Sequence, residues 1–392
     1  MKKKLLITNC GFSEIPLIMA AKRLGFYVIS VGNNPLSFGR KYVDEYHAID
    51  FSNIKDTLEI ARHLKIDAVC SSANDFGILT ASYIAEKMCL GGHDPYETTV
   101  MLHHKHKFKE LIKHCNIHTV PAYNYDSVAT AMHDVNKFEF PVIIKPIDLT
   151  GGKGVAVVQS KMELEAMLLR AFSVSKSKKI IIESFFSGTQ HSMTAFLLNK
   201  KIVFTYSDNE YSYLNPFLVS TSAGPALGFE NVKQRLIEDS EKLAEYLNLV
   251  DGVFHIQYLQ NGNDFSIIEI TRRCSGDLYP YPVNHAAGIT WEDWIVKAET
   301  GMDCSDFPAV QQKGFCGRHC LMASKNGILD DVVISPEIKG NIFDELTWWN
   351  KDDVVSDYMQ QKFGIYMLQY GSEAEMLEKT KRITDLFKVN VS

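Results

Sequence analysis

The amino-acid sequence predicts a protein of mixed α/β and α+β class, in which a parallel sheet is followed by antiparallel sheets. Three observations support this prediction. Over the first hundred residues, β-rich apolar runs alternate with helically spaced segments and short Gly/Asn turns, which is typical of βαβ units. Residues 137–186 hold short strands around a glycine-rich turn and one helix, as in a small α+β unit. From residue 191 to about residue 300, apolar runs follow one another as in an antiparallel sheet.

The individual elements follow from hydrophobic periodicity and from turn residues. In the first part of the chain we predict strands at 4–8, 27–31 and 68–71 and helices at 15–24, 54–64 and 77–88. In the middle we predict helices at 98–114 and 162–172 and strands at 141–145, 155–158 and 180–183. In the last part we predict strands at 192–198, 202–207, 253–259, 265–270, 314–323 and 363–369, and helices at 232–247 and 372–386.

The composition excludes several broad classes of protein. The 392 residues include 41 Lys+Arg against 47 Asp+Glu, a formal charge of −6, and 46% are hydrophobic. This apolar content excludes a disordered chain, and the acidic balance gives no general electrostatic reason to bind nucleic acid. No apolar run approaches the ~18 residues that cross a bilayer, so no membrane partner is predicted. Eight thinly spread cysteines indicate a reduced, cytoplasmic setting.

A glycine-rich turn between two predicted strands is the most informative segment. Lys145 ends the first strand, and Gly151, Gly152, Lys153 and Gly154 follow before the second strand begins. Glycine backbones can approach a polyphosphate closely, and their N–H groups line a concave anion nest. Because the turn joins two strands, it is not a Walker-type loop, and that motif is absent. The alternative interpretation is a glycine-rich β-hairpin with solvated lysines.

Polar residues on two later strands form a cross-strand pair, which the family resemblance described below assigns to a divalent cation. Gln257 lies in one predicted strand and Glu269 in the next. Adjacent antiparallel strands would place the two side chains next to each other on one face of the sheet. Oxygen ligands of this kind suit Mg²⁺, with nucleotide phosphates and water completing the octahedron. The alternative is a cross-strand polar pair in a half-buried sheet.

In this order, these segments resemble the ATP-grasp superfamily, and within it the carboxylate–amine ligase branch related to carbamoyl phosphate synthetase and biotin carboxylase. The resemblance covers essentially the whole chain. It implies an N-terminal parallel-sheet pre-ATP-grasp domain at 1–100. It further implies a small α+β lid domain at 101–186, which includes the preceding helix, and a C-terminal antiparallel-sheet domain at 187–392.

The resemblance also assigns the contacts to ATP. Lys105 corresponds to the first phosphate lysine, and Lys145 to the lysine that reaches the α and β phosphates. Gln190 stands where the family has a glutamate, so that the ribose contact would fall to Gln190 or His191. The implied ATP-binding residues are Lys105, Lys145, Gly151, Gly152, Lys153, Gly154, Glu183, Ser184, Phe186, Gln190 and His191.

The family pattern Glu-x-Asn-Pro-Arg assigns the metal and catalytic residues. It implies Gln257, Glu269 and Thr271 as ligands of Mg²⁺, with Mn²⁺ as an alternative ion. Thr271 replaces the usual Asn and Arg272 the usual Pro. Arg273 matches the arginine that holds the acyl phosphate, and it is implied as a catalytic residue together with Lys145.

The implied function is an ATP- and Mg²⁺-dependent ligase that joins a small-molecule carboxylate to an amine through an acyl phosphate, releasing ADP and phosphate. Two alternatives stay open: a carboxylase-type reaction through carboxyphosphate, and a catalytically inactive nucleotide-binding regulator. The chain is compatible with a homodimer. The acceptor pocket is expected to involve the turn at 274–278 and a surface loop at 206–213.

Two further clusters suggest metal ligands but are better explained without a metal. Residues 316–320 read Cys-Gly-Arg-His-Cys within an alternating strand, and a structural zinc site would need a fourth ligand. His103, His104 and His106 lie at the start of a predicted helix, where their side chains point in different directions.

Overall fold

The N-terminal part of the chain forms a parallel α/β sheet. The computed structural model describes residues 2–149 and 153–392, and for His106 it describes the backbone only. The first elements are β1 (Lys4–Thr8), α1 (Ile15–Arg23), β2 (Tyr27–Val31), a 3₁₀ turn (Phe38–Tyr42), β3 (Glu45–His47), α2 (Ile54–Leu64), β4 (Ala68–Cys70) and α3 (Asp75–Met88). The strands pair in parallel in the order β3-β2-β1-β4, which confirms the predicted βαβ organisation. Asn53 and Asn74 cap α2 and α3 because their side chains accept backbone N–H groups of the first turn.

Two consecutive helices, α4 (Tyr96–His103) and α5 (Lys105–His114), lead to the next unit. The sequence predicts one helix over 98–114, and this prediction is wrong at His104. The backbone of His104 is extended, so the residue ends α4 and begins α5. The break gives the two helices different directions, so that the face of α5 is set independently of α4.

The middle unit, which we call the lid, is a small antiparallel sheet with two helices on one face. It consists of β5 (Ala122–Tyr125), α6 (Val128–His133), a 3₁₀ turn (Val135–Lys137), β6 (Val142–Pro146), β7 (Ala156–Val158), α7 (Lys161–Val174) and β8 (Ile180–Ser184). Its strands pair in the order β5-β8-β6-β7. Apolar side chains of β6, β8 and α7 form the core of the lid, among them Ile144, Leu168 and Ile182.

A large antiparallel sheet dominates the rest of the chain. Its first elements are β9 (Thr189–Leu198), β10 (Lys201–Tyr211), β11 (Thr221–Gly224), a 3₁₀ turn (Phe229–Asn231), α8 (Lys233–Leu247), β12 (Gly252–Asn261), β13 (Asp264–Thr271), α9 (Pro280–Ala287) and α10 (Trp291–Glu299). The segment 206–213, predicted as a surface loop, is largely strand, because β10 continues to Tyr211. Its polar residues are nevertheless buried, among them Asp208 and Glu210.

The C-terminal elements extend this sheet and add a small second one. They are β14 (Phe315–Leu321), β15 (Gly327–Ile334), α11 (Pro336–Lys339), β16 (Ile342–Thr347), β17 (Val354–Val355), β18 (Gly364–Tyr370), α12 (Glu373–Lys381), α13 (Ile383–Leu386) and β19 (Phe387–Val391). The large sheet has the order β13-β12-β9-β10-β11-β14-β18-β16, and the small one β17-β15-β19. The closing helix predicted over 372–386 is interrupted at Arg382, and the final strand β19 was not predicted.

The two faces of the large sheet have different coverings, and this difference positions the functional site. One face packs against α5 and α8 through side chains such as Phe108, Leu243 and Ile256. The other face packs against α10 and the N-terminal unit, with Phe196 and Trp291 in one shared cluster. Farther along β9 and β10, the same face carries buried polar side chains such as Ser192, Asp208 and Glu210. Within the described residues, no helix is long and apolar enough to cross a membrane.

Candidate functional site

An ion pair between the N-terminal unit and the large sheet marks one side of the site. Asp75 begins α3 directly after β4, and Arg273 follows β13. Arg273 Nη2 lies 2.7 Å from Asp75 Oδ1, and Nε donates to the same oxygen at 2.8 Å. Burial alone would raise the pKa of Asp75, but Arg273 and His103 hold it well below its usual range. The sequence prediction missed Asp75, although carboxyl ends of parallel strands are common ligand positions.

Arg272 has a structural role that explains its departure from the family pattern. Its Nε lies 3.0 Å from Asp94 Oδ2, and its other nitrogens donate to the carbonyl groups of Val253 and Val250. Both charged side chains are buried. Arg272 thus contacts Asp94, whereas its neighbour Arg273 contacts Asp75 at the site.

On the lid, the buried carboxylate of Glu183 contacts two lysines. Lys145 lies on β6 and Glu183 on the neighbouring β8, and Lys145 Nζ is 3.0 Å from Glu183 Oε2. Lys109 of α5 approaches the same oxygen at 3.4 Å. Burial would raise the pKa of Glu183, but the two ammonium groups lower it to about 2. Lys109 was not predicted as a site residue, although it follows Lys105 at helical spacing i, i+4.

Lys105 completes the cluster of positive charge. Its Nζ donates to the carbonyl oxygen of Leu149 at 2.8 Å, immediately before the glycine-rich turn. Burial lowers the pKa of Lys105, partly offset by the nearby carboxylate of Glu269. Lys145 also acts electrostatically on Lys105. The structure therefore brings together the two predicted phosphate lysines and the predicted metal ligand Glu269.

Part of the glycine-rich turn can be described. Gly151 and Gly152 lie outside the described residues, and Lys153 is exposed. Gly154 has φ +74°, and a Cβ there would lie 2.6 Å from Val174 Cγ2 and 2.8 Å from Pro146 Cγ. Glycine is thus required at 154 both by the backbone conformation and by the close neighbours.

The end of β8 and the segment after it hold Ser184 and Phe186, two of the predicted ATP-binding residues. Ser184 ends β8, and its backbone N–H donates to the carbonyl of Pro121 at 3.0 Å. Phe186 is partly exposed and packs near Gly188, where a Cβ would lie 3.1 Å from Phe186 Cε1. Both residues lie within three positions of Glu183 in the chain, and their contacts with ATP stay a prediction.

The predicted metal ligands share one face of the sheet. Gln257 of β12 is directly opposite Glu269 of β13, and Thr271 lies two residues beyond Glu269. The Thr271 hydroxyl is buried and has no hydrogen-bond partner among the described residues. Burial, with a contribution from Asp75, raises the pKa of Glu269. A carboxylate, an amide oxygen and an unpartnered hydroxyl form a donor set that fits Mg²⁺.

This donor set is incomplete without the nucleotide. In the part of the chain that the structure describes, no group of three or more His, Cys, Asp and Glu residues could hold a metal ion. This agrees with the usual mode of Mg²⁺ binding, in which one or two carboxylates and the substrate phosphates share the ion. The same absence applies to the Cys-Gly-Arg-His-Cys segment, which lies within β14. It also applies to the described parts of the histidine segment around the start of α5.

Gln257 is oriented by a carboxylate that the sequence prediction did not single out. Its Nε2 donates to both oxygens of Glu210, at 3.0 and 2.8 Å, and Gln190 Nε2 donates to Glu210 Oε2 at 2.8 Å. The amide nitrogen of Gln257 faces Glu210, so its amide oxygen is left for a cation, and burial raises the pKa of Glu210 to about 7. If residues 206–211 had been predicted as a strand, the alternation of its side chains would have placed Asp208 and Glu210 on the same face of the sheet.

The structure separates the two residues predicted at the ribose. Gln190 lies on the face of the sheet that carries Gln257, whereas His191 lies on the opposite face. His191 Nε2 is 2.6 Å from Thr189 Oγ1, and its ring stacks on Tyr258 with 5.5 Å between the ring centroids. Burial lowers the pKa of His191 to about 4. His191 is therefore not brought together with the lysines and carboxylates described above.

Comparison with known proteins agrees with this arrangement. Residues 104–279 match the family model described as the ATP-binding domain of the carbamoyl-phosphate synthase L chain. The carbamoyl phosphate synthase large chain of Clostridium acetobutylicum is 25% identical over 277 residues, which are 66% of this chain and 24% of the relative. The chain therefore spans about a quarter of the length of the curated relatives it matches.

Solved structures cover the full length of the chain. An L-amino acid ligase from Bacillus licheniformis superposes with a TM-score of 0.83 and 17% identity over 100% of both chains. A phosphoribosylglycinamide synthetase from Anaerococcus prevotii does so with a TM-score of 0.78 and 20% identity, again over 100% of both. These likenesses concern the fold and confirm the one that was predicted. Residues 104–279 are thus similar to the ATP-binding domain of the carbamoyl-phosphate synthase L chain, and the chain as a whole has the ATP-grasp fold.

Proposed function

We propose that this protein is an ATP- and Mg²⁺-dependent ligase that joins a small-molecule carboxylate to an amine. In the first step a carboxylate oxygen attacks the γ-phosphorus of ATP, and ADP leaves. In the second step the amine nitrogen attacks the acyl carbon of the acyl phosphate, and inorganic phosphate leaves. The amine proton passes to solvent, so the products are an amide, ADP and phosphate.

The proposal rests on one observation above all, the convergence of Lys105 from α5, Lys145 from the lid, and Glu269 and Arg273 from the end of β13. Positioning and charge neutralisation are the main tasks in phosphoryl transfer, because the reacting groups carry several negative charges. Lys105 and Lys145 would hold the phosphates. Arg273, fixed by Asp75, would present its guanidinium to the acyl phosphate.

Mg²⁺ would be held by Glu269, Gln257 and the Thr271 hydroxyl, and when bound it neutralises phosphate charge. Thr271 in place of the family's asparagine still offers an oxygen, and this oxygen has no hydrogen-bond partner among residues 2–149 and 153–392, which supports this role. The remaining coordination would come from phosphate and water. Gln190 would act indirectly, by holding Glu210, which orients Gln257.

The acyl phosphate gives the most direct test of the proposed function. Hydroxylamine attacks an acyl phosphate to form a hydroxamate and phosphate, so no amine substrate has to be known. We expect incubation with ATP, Mg²⁺, hydroxylamine and a panel of carboxylates to yield hydroxamate and ADP in equal amounts for at least one carboxylate. ADP release with bicarbonate and no hydroxamate would instead support the carboxyphosphate reaction. ATP binding without turnover in any arm would contradict a ligase.

A matched pair of variants checks that the metal site is the one proposed. Glu269→Gln should lower hydroxamate formation at least ~100-fold, as expected when a group that stabilises the transition state is lost. Glu230→Gln makes the same change at an exposed glutamate and should leave the rate unchanged. Full activity of Glu269→Gln with an unchanged requirement for Mg²⁺ would place the metal elsewhere.

A further inference from the structure

A second group of buried charges lies on the same sheet face as the proposed metal ligands, farther from the lysines. Asp208 and Glu210 alternate on β10, so both side chains point to one side of the sheet. The cross-strand register aligns Gln257 with Ser192 and Ser192 with Asp208. The carboxylates of β10 therefore continue the polar row that begins at Glu269.

The negative charge of these two carboxylates is poorly compensated. Asp208 is fully buried and Glu210 is 8% exposed. Asp208 accepts hydrogen bonds from the hydroxyls of Ser192 and Tyr279, and Glu210 from the amides of Gln190 and Gln257. All of these donors are uncharged. Asp208 Oδ2 has no hydrogen-bond partner among the described residues. Arg318 acts on both carboxylates only through space, and none of the hydrogen bonds given above comes from a cationic side chain, so this arrangement favours a positively charged ligand.

Positive charge is in excess on the neighbouring strands. Arg318 Nη1 lies 3.3 Å from Asp277 Oδ2, and Lys362 Nζ lies 2.6 Å from Asp277 Oδ1, so two cations share one carboxylate. Arg318 is 5% exposed, and its Nε has no hydrogen-bond partner in the described part of the chain. An anionic group would supply the missing acceptor.

The register brings the two charge clusters to one face. Glu210 pairs with Ser222 of β11, and Ser222 pairs with Arg318 of β14. Glu210 and Arg318 are therefore two strand spacings apart, about 10 Å between backbones. Both side chains are long, and Arg318 acts electrostatically on Asp208 and on Glu210. Ser222 therefore lies between the two clusters on this face of the sheet.

We propose that Asp208, Glu210 and Arg318 form the subsite for the amine substrate, and that this substrate is zwitterionic, with an ammonium group at the carboxylates and an anionic group at Arg318. An α-amino acid is the simplest molecule of this class. The proposal rests on the proposed function, because it identifies the amine partner of the ligase reaction. The neighbouring Gln257 and Glu269 place such a ligand beside the proposed phosphate site.

Direct binding tests the subsite without turnover. Calorimetry on the full chain with ADP and Mg²⁺ would compare the twenty common amino acids, and the best binder would then be compared with its decarboxylated amine and its deaminated acid. We expect the zwitterion to bind at least ~10-fold more tightly than either analogue. Absence of binding by every amino acid would overturn the proposal, as would equal affinity for the zwitterion and one analogue.

Variants assign the two ends of the ligand. Glu210→Gln should weaken zwitterion binding ~10-fold or more and bring it close to the affinity of the deaminated acid. Arg318→Lys keeps the charge but loses the Nε donor, and it should weaken the zwitterion while leaving the decarboxylated amine unaffected. Circular dichroism and ADP affinity check that each variant is folded. Wild-type zwitterion affinity in both folded variants would overturn the subsite, and Asp208→Asn provides a second test if either variant fails to fold.

The two proposals fail in different ways. Zwitterion binding that depends on Glu210, without hydroxamate formation from any carboxylate, would preserve the subsite and contradict the ligase. If hydroxamate forms but the substitutions at Glu210 and Arg318 leave zwitterion binding unchanged, the ligase function is supported and the subsite is contradicted.

Discussion

Glu183 shows how one side chain sets the charge of the nucleotide site. Its carboxylate is 4% exposed, yet it stays ionised because Lys145 and Lys109 lie within 3.4 Å of one oxygen. Without Glu183, two buried ammonium groups would face each other with no anion between them. The residue therefore keeps the lysines in place before any phosphate is bound.

This leads to a prediction about stability and pH. The pKa of Glu183 is about 2 in the folded protein against 4.5 for an unperturbed glutamate. Because the folded pKa is the lower one, the stabilisation is complete above about pH 4.5 and is lost as the pH falls toward 2. The shift corresponds to roughly 3 kcal/mol. We expect the difference in unfolding free energy between wild type and Glu183→Gln, measured by urea titration, to shrink between pH 7 and pH 3. A difference independent of pH would contradict the assignment.

Gly154 is a second residue whose role can be tested by itself. In Gly154→Ala the new Cβ would meet Val174 and Pro146, and the residue would keep a positive φ that disfavours alanine. We expect a loss of about 1–3 kcal/mol in unfolding free energy and a weaker affinity for ATP. The control is Gly340→Ala, where nothing lies near the added Cβ and φ is not in the left-handed region. Equal melting temperatures of the two variants would contradict this reading.

At the scale of elements, the end of β13 is anchored by the buried pair of Arg272 and Asp94. The pair ties the strand that carries Glu269 and Thr271 to the loop before α4. Asp94→Ala would leave the guanidinium buried without its carboxylate, and we expect a loss of about 3–5 kcal/mol in unfolding free energy. The double variant Asp94→Ala/Arg272→Met should recover part of this loss. If Asp94→Ala lies within about 0.5 kcal/mol of wild type by urea denaturation, the pair has no such role.

Elements with a clear period were predictable from the sequence, whereas elements defined by tertiary partners were not. The strands and helices of the N-terminal unit follow from apolar spacing. The break at His104 does not, because both sides of it have helical spacing. The strand around Asp208 and Glu210 was missed because its polar residues are buried only through partners such as Gln190, which are distant in sequence.

The same distinction applies to the site. Lys105, Lys145 and Glu269 could be predicted because they belong to local motifs. Asp75 and Lys109 could not be found in this way, since each acquires its role from a partner on another unit. Asp75 contacts Arg273 across 198 residues, and Lys109 reaches Ile267 across 158.

At the scale of the whole molecule, the proposed phosphate site involves residues of both the lid and the large sheet. Lys145 belongs to the lid, whereas Lys105 lies on α5, whose apolar face packs on the large sheet. A bound triphosphate would therefore contact both bodies. ADP carries less charge than ATP and would hold them together less firmly.

A prediction at this scale compares lysines on one helix. Lys105→Met should weaken binding of a non-hydrolysable ATP analogue with Mg²⁺ at least ~10-fold, and it should weaken ADP binding less. Lys107→Met is the matched control, because Lys107 lies on the same helix, half exposed, near Glu97. Fluorescence titration of both nucleotides provides the measurement. Equal losses for the analogue in the two variants would show that α5 contributes only general positive charge.

The contacts of Lys109 also distinguish it from Lys145. An ammonium group has three N–H donors, and Lys109 Nζ has three neighbours, Thr119 Oγ1 and the Ile267 carbonyl at 3.1 Å and Glu183 Oε2 at 3.4 Å. Lys109 is thus saturated and fixed to the large sheet. Lys145, with Glu183 as its described partner, can exchange that carboxylate for a phosphate. Under the proposed function the site would work as an ion exchanger, in which Lys109 keeps Glu183 neutralised while Lys145 moves from this carboxylate to a phosphate.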